Sequence, residues 1–305
     1  MKAKHVIIYL LLVIVTSSCI RDEAPNAEAD ILSCRLPGIT MTTSPIINNN
    51  SVTLFVTPGT NISALAPEFT LTSGATITPA SGTERNFNSP QEYQVTAADG
   101  IWKKTYAISV IDTELATIYN FEDTISGKKY YIFVERENDK VIMEWASGNA
   151  GYAMTGVAKT ADDYPTFQIA NGKNGKCLSL VTRSTGFFGG LVGMPIAAGN
   201  LFIGSFDVNN AMSNPLQATK FGLPFRHVPT YLAGYYKYKA GDQFTEGGKP
   251  VEGKRDICDI YAIMYETSVS VPTLDGTNAF TSPNLVSMAR IKDAKETDEW
   301  TYFKL

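Results

Sequence analysis

The chain has 305 residues, 44% of them hydrophobic and 18% charged, enough apolar material for one or two packed domains and too little charge for a disordered chain. Acids outnumber bases, 30 to 26, for a net charge of −4, with no run of Lys and Arg. A nucleic-acid partner is therefore excluded, because phosphate binding needs clustered cations. Gly, Ser, Thr and Tyr are abundant and helical periodicity is scarce, the composition of an extracytoplasmic β protein.

The N-terminus specifies a compartment. Lys2 and Lys4 precede the apolar run VIIYLLLVIV (Val6 to Val15), which is too short to span a membrane. TSSC then ends at Cys19, and this order resembles the signal peptide and lipobox of bacterial lipoproteins. Residues 1–18 are expected to leave as a signal, with lipid attached at Cys19. Residues 19–30, IRDEAPNAEAD after the cysteine, read as a flexible acidic linker resembling the surface-export signal of some Gram-negative lipoproteins. An outer-membrane location, facing the cell surface or the periplasm, follows. Cys34, Cys177 and Cys258 are odd in number and lack CxxC spacing, so buried free thiols are expected rather than a zinc site or disulfide framework.

Residues 31–112 alternate as short strands. Val52, Leu54 and Val56 share a face, as do Tyr93, Val95 and Ala97, and Asp99-Gly100 supplies a two-residue turn before Trp102, Tyr106, Ile108 and Val110. A small antiparallel sandwich is predicted. With PGTNISALAPEFTLTSGATITPASG (Pro58 to Gly82), it resembles the Ig-like modules that precede sugar-binding domains in surface lipoproteins of glycan-utilising bacteria. It contains no catalytic constellation and reads as a spacer.

Residues 113–305 offer eight further strands: KYYIFV, VIMEWA, KCLSLVT, NLFIGSFD, YLAGYYKYK, ICDIYAIMY, LVSMARI and EWTYFKL, joined by Gly- and Asn-rich loops. An all-β chain results, an Ig-like sandwich followed by a jelly-roll sandwich. YNFED (Tyr119 to Asp123), EWASGNAGY (Glu144 to Tyr152), PIAAGNLFIGSF (Pro195 to Phe206), KFGLPFRHVPTYLAGYYKYKAGD (Lys220 to Asp242) and DICDIYAIMYE (Asp256 to Glu266) occur in this order. Together they resemble the putative carbohydrate metabolism domain family of bacterial lipoproteins. The resemblance implies a jelly roll akin to carbohydrate-binding modules and a role in glycan handling, without assigned catalytic residues. It also implies that the last strands of the domain are missing after WTYFKL.

After signal removal His227 is the one histidine, so HExxH and two-histidine metal sites are excluded. GxSxG and phosphate-binding fingerprints are absent, and GFFGGLVG (Gly186 to Gly193) reads as a flexible loop. Glycosidase chemistry needs two carboxylates; those available are Glu122, Asp123, Glu135, Glu144, Asp162, Asp163, Asp256, Asp259 and Glu266. Asp259 alternates with Ile257, Tyr261 and Ile263, so it is either an acid raised by apolar neighbours or an acid on a solvated rim. Glu122 and Asp123 stand where jelly-roll sugar binders often hold a structural calcium; no other cofactor is expected.

Sugar binding calls for flat aromatic faces beside a few polar groups. Trp145, Asn149 and Tyr152 form one such set, with core packing of Trp145 and turn bracing by Asn149 as the alternative. In Phe221 to Gly241, strand alternation places Tyr231, Ala233, Tyr235, Lys237 and Lys239 on one wetter face, and Leu232, Gly234, Tyr236 and Tyr238 on the other. Arg226, His227, Tyr231 and Tyr235 remain as candidate ligand contacts, Arg226 suiting the carboxylate of a uronic or sialic acid and His227 having a surface or hydrogen-bonded structural role as its alternative. Three functions fit: a glycan-binding lipoprotein serving polysaccharide capture beside other outer-membrane proteins, a glycan-cleaving enzyme with a carboxylate pair, or a non-catalytic adhesion or assembly protein.

Overall fold

A computed structural model describes residues 25–268 and 270–305. The signal sequence and Cys19 lie outside the described residues. The strands in chain order are β1 (Ile31–Arg35), β2 (Ile46–Ile47), β3 (Ser51–Phe55), β4 (Glu68–Leu71), β5 (Thr76–Thr78), β6 (Gln91–Thr96) and β7 (Lys103–Ile111). There follow β8 (Val134–Glu137), β9 (Lys140–Ala146), β10 (Thr166–Ile169), β11 (Cys177–Leu180), β12 (Arg183–Ser184), β13 (Ile196–Ala197), β14 (Phe202–Phe206) and β15 (Thr219–Phe221). The last are β16 (Ala233–Tyr238), β17 (Thr245–Glu246), β18 (Lys249–Pro250), β19 (Tyr261–Tyr265), β20 (Leu274–Asp275), β21 (Leu285–Arg290) and β22 (Thr297–Lys304). The protein is all-β, with only short helical turns.

In the N-terminal part a five-stranded sheet, β2-β3-β7-β6-β5, faces the pair β1-β4. Alternation explains the core between them. Val52 and Leu54 of β3, Tyr93 and Val95 of β6, and Tyr106, Ile108 and Val110 of β7 are all buried, with Phe87 and Cys34 in the same cluster. Two expectations need correction. Strand β3 runs parallel to β7, so the sheet is mixed. The turn at Asp99-Gly100 is four residues long, because Ala97 N–H already bonds Trp102 C=O and leaves 98–101 outside the ladder. Asp99 Oδ1 accepts from Ile101 N–H, and Gly100 takes the positive φ of 71° that such a turn requires.

Part of the expected linker is also tied down. Ala29 is buried, and Asp30 accepts hydrogen bonds from Lys104 Nζ and from Tyr106 Oη, the latter at 2.9 Å. The Lys104 hydrogen bond, first among the favourable contacts, holds the Asp30 carboxyl below its ordinary 3.8. A carboxyl lowered in the native state stabilises the fold above its unfolded value and loses that contribution as pH falls through the native value. Asp30→Asn is accordingly expected to lower the urea midpoint at neutral pH by the equivalent of about 1 kcal/mol or less, since the carboxylate is 38% exposed and screened by solvent. The gap to wild type should close in acid below the ordinary value; a gap that persists there would rule out the charge as its source.

The second part is built on a five-stranded sheet, β20-β15-β14-β9-β8, with the two-stranded ribbons β10-β11, β12-β13, β16-β22, β17-β18 and β19-β21 around it. Phe133, Val134, Ile142, Met143, Tyr164 and Leu274 are buried there. The predicted strand KYYIFV shrinks to its end: only Val134 enters β8, while Phe133 makes an isolated bridge to Thr124. GFFGGLVG is a short helix (Gly186–Leu191) followed by a turn rather than a flexible loop. Glycine at 189 permits it, because the buried Thr185 hydroxyl, donating to Met194 C=O, occupies the space a Cβ would need. Cys34, Cys177 and Cys258 are free thiols, and burial pushes Cys34 up to about 12.

Candidate functional site

The ribbon β16-β22 carries an exposed aromatic face. Antiparallel register sets Ala233 opposite Lys304, Gly234 opposite Phe303, Tyr235 opposite Tyr302 and Tyr236 opposite Thr301. Alternation then points Tyr235, Lys237, Tyr302 and Lys304 outward, and Trp300 two residues before Tyr302 lies on the same side. Tyr235 and Tyr302 are 48% and 54% exposed, with ring centroids 5.3 Å apart. Tyr231, just before β16, is also exposed. The opposite face packs inward: Tyr236 meets Phe303, and Gly234 lies so close to the Phe303 ring that a Cβ would stand 3.0 Å from it. Burial pushes the Tyr238 phenol up to about 12.

Three of the four outward rings, all but Tyr302, have an ammonium over them. Lys304 Nζ lies 4.3 Å from the Tyr231 centroid, Lys173 Nζ 4.1 Å from that of Tyr235, and Lys237 Nζ 5.4 Å from that of Trp300. Lys173 reaches the ribbon from the β10-β11 loop. Glu122 Oε1 holds that loop by accepting from Lys176 N–H at 2.9 Å, and fills the space beside Gly175.

A second aromatic cluster lies on the five-stranded sheet. Trp145 of β9 is half-buried, edge-on to Tyr119 at 5.0 Å and tilted against Phe121 at 5.4 Å. Its indole N–H donates to Glu135 Oε1 at 2.8 Å. Burial raises the Glu135 carboxyl; the Trp145 hydrogen bond opposes this and the negative charge of Asp123 adds to it. Phe121 holds a φ of 57°, a conformation that costs an aromatic residue about 1–3 kcal/mol. The Gln168 amide steadies it, donating to Phe121 C=O at 2.7 Å and to Glu122 C=O at 2.9 Å. On the other face of β9, Glu144 is exposed yet ringed by protein, and desolvation raises its carboxyl against the pull of Lys128.

The residues singled out by sequence thus occupy separate surroundings. Tyr231 and Tyr235 share the ribbon, and Trp145 belongs to the Glu135 cluster. Asn149 is buried: Nδ2 donates to Thr166 C=O at 2.7 Å, and Oδ1 accepts from Thr166 N–H at 3.1 Å. Tyr152 is buried too, its hydroxyl donating to Ser184 C=O at 2.8 Å. Both brace the backbone: Asn149 follows the bracing alternative, holding Thr166 rather than its own turn, and Tyr152 is corrected from its expected place on a ligand surface. His227 Nε2 pairs with Glu114 at 2.8 Å, and Arg226 lines a cleft with Thr42, Phe55, Pro58 and Leu115, so both serve the junction with the N-terminal part. Asp259 precedes β19 and is gripped by Arg290 through two bonds, Nε to Oδ1 at 2.9 Å and Nη2 to Oδ2 at 2.8 Å. That fork commits both carboxylate oxygens of Asp259 to Arg290 rather than to a ligand. Glu122 is occupied by the β10-β11 loop, and the charge of Asp123 is felt at Glu135. Among the described residues no three His, Cys, Asp or Glu side chains gather as a metal site.

Sequence reasoning missed Trp300, Tyr302 and Lys173. The first two were visible as the i, i+2, i+4 series Trp300, Tyr302, Lys304 in WTYFKL; Lys173 sits in a loop whose approach to Tyr235 has no local signal.

Residues 120–305 match the family model described as putative carbohydrate metabolism domain. The chain belongs to that family. In front of this domain, residues 31–110 match the model described as SGBP, N-terminal, the N-terminal module of surface glycan-binding proteins. The putative carbohydrate metabolism domain and its preceding module are also similar to solved structures. A protein from Bacteroides thetaiotaomicron described as a putative glycoside hydrolase is 86% identical, superposes with a TM-score of 0.89, and shares 93% of this chain and 83% of its own. Another from Bacteroides vulgatus, described in the same words, is 48% identical with a TM-score of 0.57, over 61% of this chain and 76% of its own. Among curated proteins none matches.

Proposed function

We propose that the protein is a glycan-binding lipoprotein of the Gram-negative outer membrane, anchored by lipid at Cys19, that contributes to polysaccharide capture. The Ig-like module (31–112) serves as a spacer, and the domain from residue 113 onward carries the sugar site. The observation that carries this reading is the ribbon face on which Tyr231, Tyr235 and Tyr302 are open to solvent, with the half-buried Trp300 beside them. Contiguous exposed rings cost solubility unless something covers them. Rings in a row on a rigid strand pair match the C–H faces of successive sugars, and stiff aromatic anchors are the side chains that most often dominate binding energy. The two family matches, both to glycan-associated domains, support the same reading. Isothermal titration with a panel of neutral and acidic oligosaccharides is expected to give saturable binding; no heat across the panel would contradict it.

Glycan hydrolysis is a second reading. It is favoured by Glu135, a raised carboxyl beside Asp123 in an aromatic surround, the environment a general acid needs. New reducing ends released from the same panel would support it.

A further inference from the structure

Given the glycan-binding reading, we propose that the ribbon's ligand is an anionic glycan, one bearing carboxylate or sulfate groups at intervals along its chain. The rings are not bare. Lys304, Lys173 and Lys237 each place an ammonium over one of them, at 4.1 to 5.4 Å from the centroid. A sugar that stacks on these rings has to move the ammonium aside and forfeits about 0.5–1 kcal/mol of cation–π attraction at each exposed position. A neutral sugar returns nothing for that loss but hydration of the displaced cation. An acidic sugar gives each displaced ammonium a charge-assisted hydrogen bond within reach of the same flexible stem.

Two further observations point the same way. None of these three lysines has a carboxylate within ion-pair distance among the described residues, so, like several other lysines of the chain, each is available to a ligand anion. The three free cations also fall on one face of a chain whose net charge is −4, so the basic strip is local and not a consequence of overall charge. Two exposed acids, Asp298 and Glu299, lie at the irregular end of β22, where the register with β16 shifts between Tyr236 and Tyr238. The spacing favours a repeating polyanion over a single acidic sugar: successive outward positions on a strand are about 7 Å apart, and the cations come from three separate points along the ribbon. Part of the device lies outside the ribbon, since Lys173 is delivered by the loop that Glu122 holds.

The test is titration calorimetry of the whole chain with three oligosaccharides: an oligouronide, its carboxyl-reduced neutral counterpart and a sulfated oligosaccharide, each at low and high salt. Binding of the oligouronide or the sulfated sugar at least tenfold tighter than of the neutral counterpart is expected, with affinity falling as salt rises; the arm that binds identifies the anion. The variant Lys173→Gln/Lys237→Gln/Lys304→Gln should lose that preference while keeping its melting temperature. Equal, salt-insensitive binding of acidic and neutral sugars overturns the anionic inference and leaves the glycan-binding reading standing. Anion-selective binding that the triple variant retains removes the ribbon lysines as its source. No binding by any of the three overturns the inference, and the broader panel above then decides the glycan reading separately.

Discussion

Replacing Tyr235 and Tyr302 together by alanine is expected to weaken glycan binding by about 30- to 100-fold, while the melting temperature stays nearly constant. The two rings lie opposite each other in the β16-β22 register and are each about half exposed. Their mutual contact across the strands contributes roughly 0.2–1 kcal/mol to stability, because little area is removed from water in the unliganded fold. Against a ligand the balance reverses: a central aromatic anchor typically costs 2 kcal/mol or more on truncation, and each 1.4 kcal/mol is tenfold in affinity. The separation of the two effects is the informative part. A double variant that binds as wild type places the sugar elsewhere, and one that loses affinity together with several degrees of melting temperature makes the rings structural.

The opposite pattern is expected of Asn149→Ala: a fall in stability of about 3 kcal/mol with glycan binding retained below the melting temperature. Asn149 is almost completely buried and satisfies both backbone groups of Thr166. Thr166 is equally buried, and its hydroxyl in turn donates to Asn200 C=O at 2.8 Å, while Asn200 Oδ1 accepts from Gly148 N–H at 2.7 Å. Truncation leaves a buried N–H and a buried C=O without partners, each costing about 1–3 kcal/mol. For a unit of this size roughly 2–4 °C of melting temperature is lost per kcal/mol. A thermal shift of a degree or less would show that the network relaxes around the missing amide.

These two residues illustrate what a sequence can and cannot disclose. Strand alternation alone separated Tyr235 from Tyr236 and assigned the wetter face correctly, because a period of two is a local property of the backbone. It likewise put Val52 with Leu54 and Tyr93 with Val95 on shared faces, which the structure buries. Asn149 belonged to a long diagnostic motif, and the structure explains the motif by a backbone brace between residues 17 positions apart, which no local pattern encodes. The same limit applied to Asp259, whose alternation with Ile257 and Tyr261 looked like an acid among apolar neighbours. Its partner Arg290 comes from another strand 31 residues away. Arg226 and His227 were legible as polar residues at a loop, but their target, the junction around Glu114 and Leu115, depends on how the two parts of the chain meet. Tyr302 and Trp300 had the right spacing in plain sight, and only the pairing of β22 with β16 gives that spacing a meaning.

The most direct measurement is a crystal structure of the chain with a bound oligosaccharide drawn from the titration panel. The expected result is a sugar ring stacked on the outward face of Tyr235 and Tyr302, running toward Trp300 or Tyr231, with Lys173 swung off the Tyr235 ring. A sugar seated instead at Trp145 and Glu135, with the β16-β22 rings bare, would contradict the ribbon as the binding site.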